Sequence, residues 1–503
     1  MGFLGTLRNL LTPAPLRSQE SYRGARSNRI WKNWYPPHAS GDSAINDSFD
    51  TLLSRVRELS RDDPTLKAAK RAISKHVIGP GIMAFADALT ANDANSYDDD
   101  AFNDPSDDVF NRWSEERECD IEGRFSFEEM QLHQWNEMME SGEALWLKVM
   151  DDRPGRSLPL AWQMLEAEQI DDSKDWEAGD GRCLCRRGIE YDRVGRPVAY
   201  WIFDAHPYDI AGSPVLDSRR VTADRVIHTF LPNRTSEHRG ITWFTNLQSH
   251  KDLDWYVGNE LTAASLGALF AVAIKRERGQ GSGLGFQNAT GSQPTTNNEF
   301  ALGRGIVADI GPNDSIEQVE SKRPNRDAKP FIDLILMLQG MGIGVSRLRL
   351  TGDYSESSYT SARGAHLDDQ AFFVVLQNFA ASNFVRPIRR ELQRHAVISG
   401  LIPGITPRQY LSQQQRLERF YIQPPGREQL DPDGEQSAAM NRMKAGMSTL
   451  QIECGKRGLH WRKVARQQKR EEQFWIDTVG HLPSFESKAA ARGSDSTNNG
   501  GAA

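Results

Sequence analysis

Residues 340–363 read Gly340-Met341-Gly342-Ile343-Gly344-Val345-Ser346-Arg347-Leu348-Arg349-Leu350-Thr351-Gly352-Asp353-Tyr354-Ser355-Glu356-Ser357-Ser358-Tyr359-Thr360-Ser361-Ala362-Arg363. The stretch changes character twice. Three glycines at alternate positions end an apolar helix predicted over Phe331–Gly340, whose apolar residues cover nearly all sides and therefore predict burial. Leu350–Ser361 is then a polar loop of serine, threonine and tyrosine. A very long helix follows to Ser399, with Gly400 as its C-terminal glycine and a kink expected at Pro387.

Upstream, Gln248–Arg278 is predicted to be one helix, roughly 45 Å long at 1.5 Å per residue. Asp252 and Asp254 near its start and Lys275, Arg276 and Arg278 near its end suit the helix dipole. Its middle is dense in small residues (Ala263, Ala264, Ser265, Gly267, Ala268), which lets helices approach closely. Gly279–Asn298 is a Gly/Ser/Asn-rich excursion, with strand-like pieces at Gly305–Ile310 and Ser315–Val319. The pattern is a helical hairpin with a small insertion at its tip.

Further out, Asp63-Pro64 opens a helix carrying Leu66, Ala69, Ile73 and Val77 on one side, and Gly79-Pro80-Gly81 stops it. Lys67, Lys70, Arg71 and Lys75 occupy its polar side and read as solvated. Ser126–Glu129 has the capping-box pattern. After Gly142 the period becomes two. Ala144–Met150, Arg186–Asp192, Pro197–Phe203 and Arg225–Phe230 read as strands separated by turns such as 192–197. The class is α+β. Residues 1–45 form an arm of alternating cations and aromatics, read as a packing arm that docks on a neighbour.

Composition narrows the function. The 503 residues are 38% hydrophobic and 26% charged, apolar-poor for one compact globule, which fits an elongated or self-associating molecule. A net charge of -7 excludes a broadly basic nucleic-acid binder. Residues 92–122 hold twelve acids against Arg112 and Arg117 and read as a solvated loop. Arg462–Arg470 is basic. The longest uncharged run, Leu261–Ile274, is 14 residues where a bilayer span needs about 20, so no membrane partner is expected. Cys119, Cys183, Cys185 and Cys454 give neither a disulfide framework nor zinc spacing, and suit a reducing cytoplasm.

No catalytic constellation assembles. The Gly340-x-Gly-x-Gly run follows a helix rather than a strand, and no Walker lysine exists, so it is read as a tight bend and not a nucleotide site. The eleven histidines lack H-x-x-x-H spacing, no Gly-x-Ser-x-Gly elbow is present, and Asp368-Asp369 is read as helix surface. No enzyme, cofactor or metal is expected.

Ile343-Gly344-Val345-Ser346, Leu350–Ser355 and Tyr359–Arg363 together resemble the lambda-like family of tailed-phage portal proteins. So do Ser60-Arg61-Asp62, Gly79-Pro80-Gly81-Ile82, Gly142-Glu143-Ala144, Gly195–Tyr200, His206-Pro207 and Arg386-Pro387, in order over most of residues 20–480. The resemblance implies an elongated portal-type subunit in a ring, usually of twelve, at one capsid vertex. It implies an N-terminal arm (1–45), an α/β wing (46–247), a two-helix stem (248–278 and 326–345), a small mixed clip (279–325), a tunnel loop (346–361), a long kinked wing helix (362–426), a helical crown (427–487) and a disordered tail (488–503). The implied partners are double-stranded DNA without sequence readout, the terminase large subunit, head–tail joining proteins, and capsid and scaffold proteins, after assembly in the host cytoplasm. The residues expected to line the DNA channel are Asp353, Tyr354, Ser355, Glu356, Ser357, Ser358, Tyr359, Thr360 and Arg363. Such a lining suits sliding, because every cation that neutralises a phosphate adds grip. A different phage head protein (adaptor or capsid) or a phage DNA-processing enzyme are the alternatives.

Overall fold

The computed structural model describes residues 36, 38–90, 99–177, 184–209, 217–269, 273–276, 314–317, 328–355 and 357–480. Helices α1 (Gly41–Asn46), α2 (Phe49–Asp62) and α3 (Pro64–Val77) lead to strand β1 (Met83–Ala86). Helices α4 (Asp100–Glu115) and α5 (Phe127–Ser141) precede β2 (Glu143–Met150), β3 (Leu160–Leu165), β4 (Trp176–Glu177), β5 (Leu184–Arg186), β6 (Ile189–Tyr191), β7 (Pro197–Phe203), β8 (Ser218–Thr222) and β9 (Val226–Phe230). Then come α6 (Leu247–Leu269), β10 (Ala273–Arg276), β11 (Asp314–Glu317), α7 (Ala328–Ile343), α8 (Arg347–Thr351) and α9 (Tyr359–Ala380). A π-helical turn, Ala381–Val385, joins α9 to α10 (Arg386–Ile398). The chain continues through α11 (Pro407–Ser412), α12 (Gln414–Leu417), β12 (Phe420–Gln423), α13 (Pro432–Lys444), α14 (Leu450–Lys456) and α15 (Trp461–Val479).

The fold is mixed α+β, mostly helical with small antiparallel sheets. Strands run in the orders β3-β2-β9, β4-β5-β6-β7-β8, β1-β12 and β10-β11. Strand β2 is the hinge between two cores, because successive strand residues face opposite ways. Ala144 and Trp146 join the helical core, where Trp146 stacks on Phe384 with 6.0 Å between ring centroids. Leu145 and Leu147 pack instead with Tyr200, Ile202 and Val221 between the sheets.

The start of β2 is also where the chain approaches itself most closely. Gly142 ends α5 in the left-handed region (φ 93°), and a Cβ there would lie 2.1 Å from the carbonyl carbon of Ile241. Beside it Glu143 is fully buried, accepting from Arg239 Nε at 2.7 Å, the Gly240 amide at 3.0 Å and His228 Nε2 at 3.0 Å. Burial alone would raise its pKa, but the Arg239 charge and the His228 bond hold it well below the usual carboxylate range. The Gly-Glu-Ala motif is thus a backbone crossing locked by an ion pair.

Several expectations are corrected. The helix expected over 248–278 ends at Leu269, and Ala273–Arg276 is a strand whose register sets Ile274 across from Ile316 and Arg276 across from Asp314. Strand pairing with the returning chain replaces the last helical turns. The strand-like piece at 305–310 and most of the excursion lie outside the described residues, as do nearly all of the arm and the tail.

The strand expected over 186–192 is instead a hairpin, β5-β6. Arg187 (φ 46°) and Gly188 (φ 79°) form the two-residue turn with both φ positive that hairpins favour. Arg187 tolerates that conformation with its guanidinium 4.2 Å from the Phe49 ring centroid and 3.4 Å from Asp172.

The described part of the acidic run is mostly helical and not a solvated loop. Residues 100–115 form α4, whose carboxylates meet cations from distant parts of the chain: Asp100 with Arg462 at 3.4 Å, Asp104 with Arg466 at 2.9 Å, and Asp107 with the fully buried Arg389 at 2.8 Å. The basic 462–470 segment is its partner. The helix is interrupted next to the expected kink: a π-helical turn at 381–385 directly precedes Pro387, whose missing N–H removes one bond from the ladder.

The second hairpin helix is not buried in the subunit. In α7, Phe331, Leu334, Leu338 and Met341 are all exposed, at spacings of three and four that form one apolar stripe. On α6, Trp255 and Leu261 are exposed too. The sequence signal was right about chemistry, but no described residue covers this stripe.

Glu143→Gln, which leaves Arg239 buried without its counter-charge, is expected to destabilise the subunit by about 3–5 kcal/mol. The check is the denaturant midpoint, and a loss under about 1 kcal/mol would show that the pair does not lock the crossing.

Candidate functional site

The loop after α8 is short and tightly built. Gly352 (φ 67°) caps α8, and its amide donates to Leu348 O at 2.9 Å. Asp353 Oδ1 accepts from the Ser355 amide at 3.0 Å and hydroxyl at 2.6 Å, and these bonds lower its pKa, keeping it ionised. The Ser357 amide donates to Tyr354 O at 3.0 Å. Ser358 is the N-cap of α9, its Oγ accepting from the Ser361 amide at 3.2 Å.

Of the residues expected to act together, Asp353, Tyr354, Ser355, Ser357 and Ser358 follow one another around this turn, Tyr359 and Thr360 open α9, and Glu356 lies outside the described residues. Tyr354 and Tyr359 are half-exposed or more, at 50% and 60%. Arg363 stands apart: one turn into α9, it lines a cavity of about 590 Å³ with Leu367, Gln370, Arg427 and Arg457. The loop is also shorter than 346–361. Residues 347–351 are helical, because Ser346 caps a turn that Gly352 closes.

What holds the loop was not seen in the sequence. Asp369, expected on a helix surface, is buried; it accepts from the Ser346 amide at 2.9 Å and hydroxyl at 2.7 Å, with Arg349 Nε 3.5 Å away. Arg349 extends the anchor. It donates to Glu428 at 2.9 Å, to His76 Nε2 at 2.9 Å and to His366 Nδ1. Glu428 also accepts from Lys75 at 2.7 Å; burial would raise its pKa, but Lys75 and Arg349 hold it to about 2. The only legible trace was Ser346 preceding a short apolar-basic segment. Pairing with Asp369, 23 residues away, appears only in the folded chain. Glycine supplies the sharp bend: Gly344 has φ 88°, and a Cβ at Gly340 would lie 2.6 Å from Val345 O.

Cys119 and Cys185 are buried with thiols pushed up by burial, Cys185 to about 11, and Cys183 lies outside the described residues. One grouping among the described residues has ligand-like spacing, Glu166, Glu168 and His206, but Arg57 already balances Glu168 at 3.0 Å. No described helix is long and apolar enough to cross a membrane.

The chain is 26% identical to the "Probable portal protein" of Halomonas phage phiHAP-1 (86% of this chain, 81% of that one). It is 24% identical to the "Portal protein" of Escherichia phage N15 (88% and 87%) and 23% identical to "Portal protein B" of Escherichia phage lambda (93% and 92%). Among solved structures, a chain from "Neck of native GTA particle computed with C12 symmetry" matches at TM-score 0.40 and 13% identity, covering 83% of this chain and 93% of that one. A portal protein is a structural virion component, not an enzyme. The family description "Phage portal protein, lambda family" matches residues 27–377, and the chain belongs to that family.

The anchor carries a pH dependence. His76 accepts a hydrogen bond from Arg349, so it is neutral; burial and the Arg349 charge hold its pKa at about 4, against an ordinary 6.5. A lowered folded pKa means the opened state binds the extra proton, so stability is lost as pH falls from 6.5 through 4. The protection factors of the amides at 344–352, which are exchange rates corrected for their intrinsic slowing in acid, are expected to fall on acidification from about pH 7 to about pH 5, and less so in His76→Gln. Glu428 stays ionised throughout that window.

Proposed function

We propose that this subunit forms a ring, with twelve copies as the family's usual number, whose axial hole conducts duplex DNA during packaging, retention and ejection. In this reading the terminase large subunit docks first and head–tail joining proteins later, within a vertex set by capsid and scaffold. Residues 46–247 and 362–426 act as the wing, the α6–α7 pair as the stem, the insertion between them as the clip, and 427–487 as the crown.

The observation that carries the reading is the loop. From Asp353 to Ala362 no lysine, arginine or histidine occurs, and Tyr354, Ser355, Tyr359 and Thr360 are exposed. Hydroxyls and phenols give phosphates something to brush against without releasing counterions, so the duplex is held weakly and at no particular sequence. The exposed α7 stripe supports the ring, since an apolar face of that length calls for a cover and none of the described residues supplies one.

Electron microscopy of the purified chain is expected to show rings with a hole of ~20 Å, wide enough for a duplex; a persistent monomer overturns the ring. Ser355→Lys with Ser357→Lys is expected to leave rings intact while packaged DNA per particle falls on the order of tenfold, because added phosphate contacts resist movement. Ser358 is spared because its capping role would confound the result. Normal packaging would remove the loop from the channel. Leu334→Asp with Leu338→Asp is expected to shift sedimentation from rings to monomers. Each buried leucine supplies about 1.5–3 kcal/mol of contact, so the pair is worth about two to four orders of magnitude in association.

A further inference from the structure

We propose that the groove between α3 and the 425–428 segment is a second binding site, for the phosphodiester backbone of double-stranded DNA, separate from the loop. The inference goes beyond the channel and rests on the reading that duplex DNA meets this protein.

Helix α3 buries Leu66, Ala69, Ile73 and Val77 and turns its other side outward. There Lys67, Arg71 and Lys75 recur at every fourth residue, about 6 Å apart along the axis. These three and Lys70 line a groove of about 760 Å³ walled by Pro80, Pro425 and Gly426. Like charges four residues apart weaken a helix, so the row does not serve α3 itself.

The cations differ in their commitments. Lys70 is held by Glu140 and by Ser60 at 2.8 Å. Lys75 shares Glu428, the one carboxylate in the lining, with Arg349. Among the described residues no carboxylate lies within ion-pair reach of Lys67 or Arg71. Asn136 adds a donor: its Oδ1 accepts from Ser74 Oγ at 2.7 Å, which leaves its amide N–H groups for the groove. His76 is neutral.

The groove therefore offers N–H donors in a straight, evenly spaced row, open to solvent. A repeating anion fits it. An acidic peptide would also need seats for its apolar side chains, and the lining offers only Leu132 and the prolines. No Phe, Tyr or Trp lines the groove, so it lacks the stacking platform a single strand requires. What remains is duplex backbone, contacted through phosphate.

The test is a fluorescence-anisotropy titration of full-chain rings with a labelled mixed-sequence duplex across a salt series. Lys67→Gln with Arg71→Gln is expected to weaken binding about tenfold at low salt and to flatten the slope of log K against log salt by about 2, since each phosphate no longer neutralised removes about 0.9 from it. Lys67→Arg with Arg71→Lys is expected to retain both affinity and slope, which a shape-only role would not predict. Unchanged affinity and slope in the glutamine variant overturn the proposal. So does failure of that variant to form rings, which would assign the two cations to subunit contact, and so does displacement by polyglutamate at lower charge concentration than by unlabelled duplex. A loop that does not line the channel shows itself in packaged DNA and not in this titration, so the two readings fail separately.

Discussion

A carboxylate with no exposure, Glu143, sits where three parts of the subunit meet. It begins the strand shared by both cores, follows the glycine that ends α5, and receives Arg239 from the segment that runs into α6. An ionised group in that position is tolerable only because donors surround it. The interaction fixes register: a shift of one residue in β2 would turn Trp146 away from Phe384 and bury Leu145 against helices in its place. The long helices therefore leave the α+β body at an angle set by one ion pair and one glycine crossing.

The same economy of charge runs through the rest of the chain. Acids that read as a solvated loop in the sequence are matched to cations from distant parts of the chain. Asp107 takes Arg389, while Asp100 and Asp104 take Arg462 and Arg466, tying the last described helix to α4. Arg349 is likewise spent on Asp369 and Glu428, immediately before the loop. That strong cation beside the loop is thus neutralised. A subunit can carry 61 basic residues and still present an almost cation-free turn, provided its cations face inward toward carboxylates.

How much of this was legible depended on whether the signal was local. Glycine and proline punctuation, the Ser126 capping box, the Asp63-Pro64 start and the strands of β2, β7 and β9 follow from neighbouring residues, and each is present. The turn after Gly352 was legible for the same reason. The pairings of Asp369 with Ser346 and of Asp107 with Arg389 were not, because carboxylates on helices look alike in sequence whether solvated or buried. Strand β1 was missed because its partner, β12, comes from the other end of the chain. The α6 end was misplaced because Ala271–Arg276 has acceptable helix propensity, and strand pairing across the insertion overrode it.

The α7 stripe shows why an apolar helix is ambiguous in a protein of this kind. Apolar residues on all sides predict burial, and in the proposed ring the covering surface belongs to another copy of the chain. The consequence reaches the loop. It hangs from α7 through Gly344 and Ser346, so neighbour contact on α7 would fix its height and angle as firmly as Asp369 fixes its root. A ring of such loops, each held at both levels, would form a collar stiff enough to centre a duplex while touching it only with hydroxyl and phenol groups. In the proposed ring, rigidity would come from buried carboxylates and apolar interfaces, and slipperiness from the absence of positive charge between them.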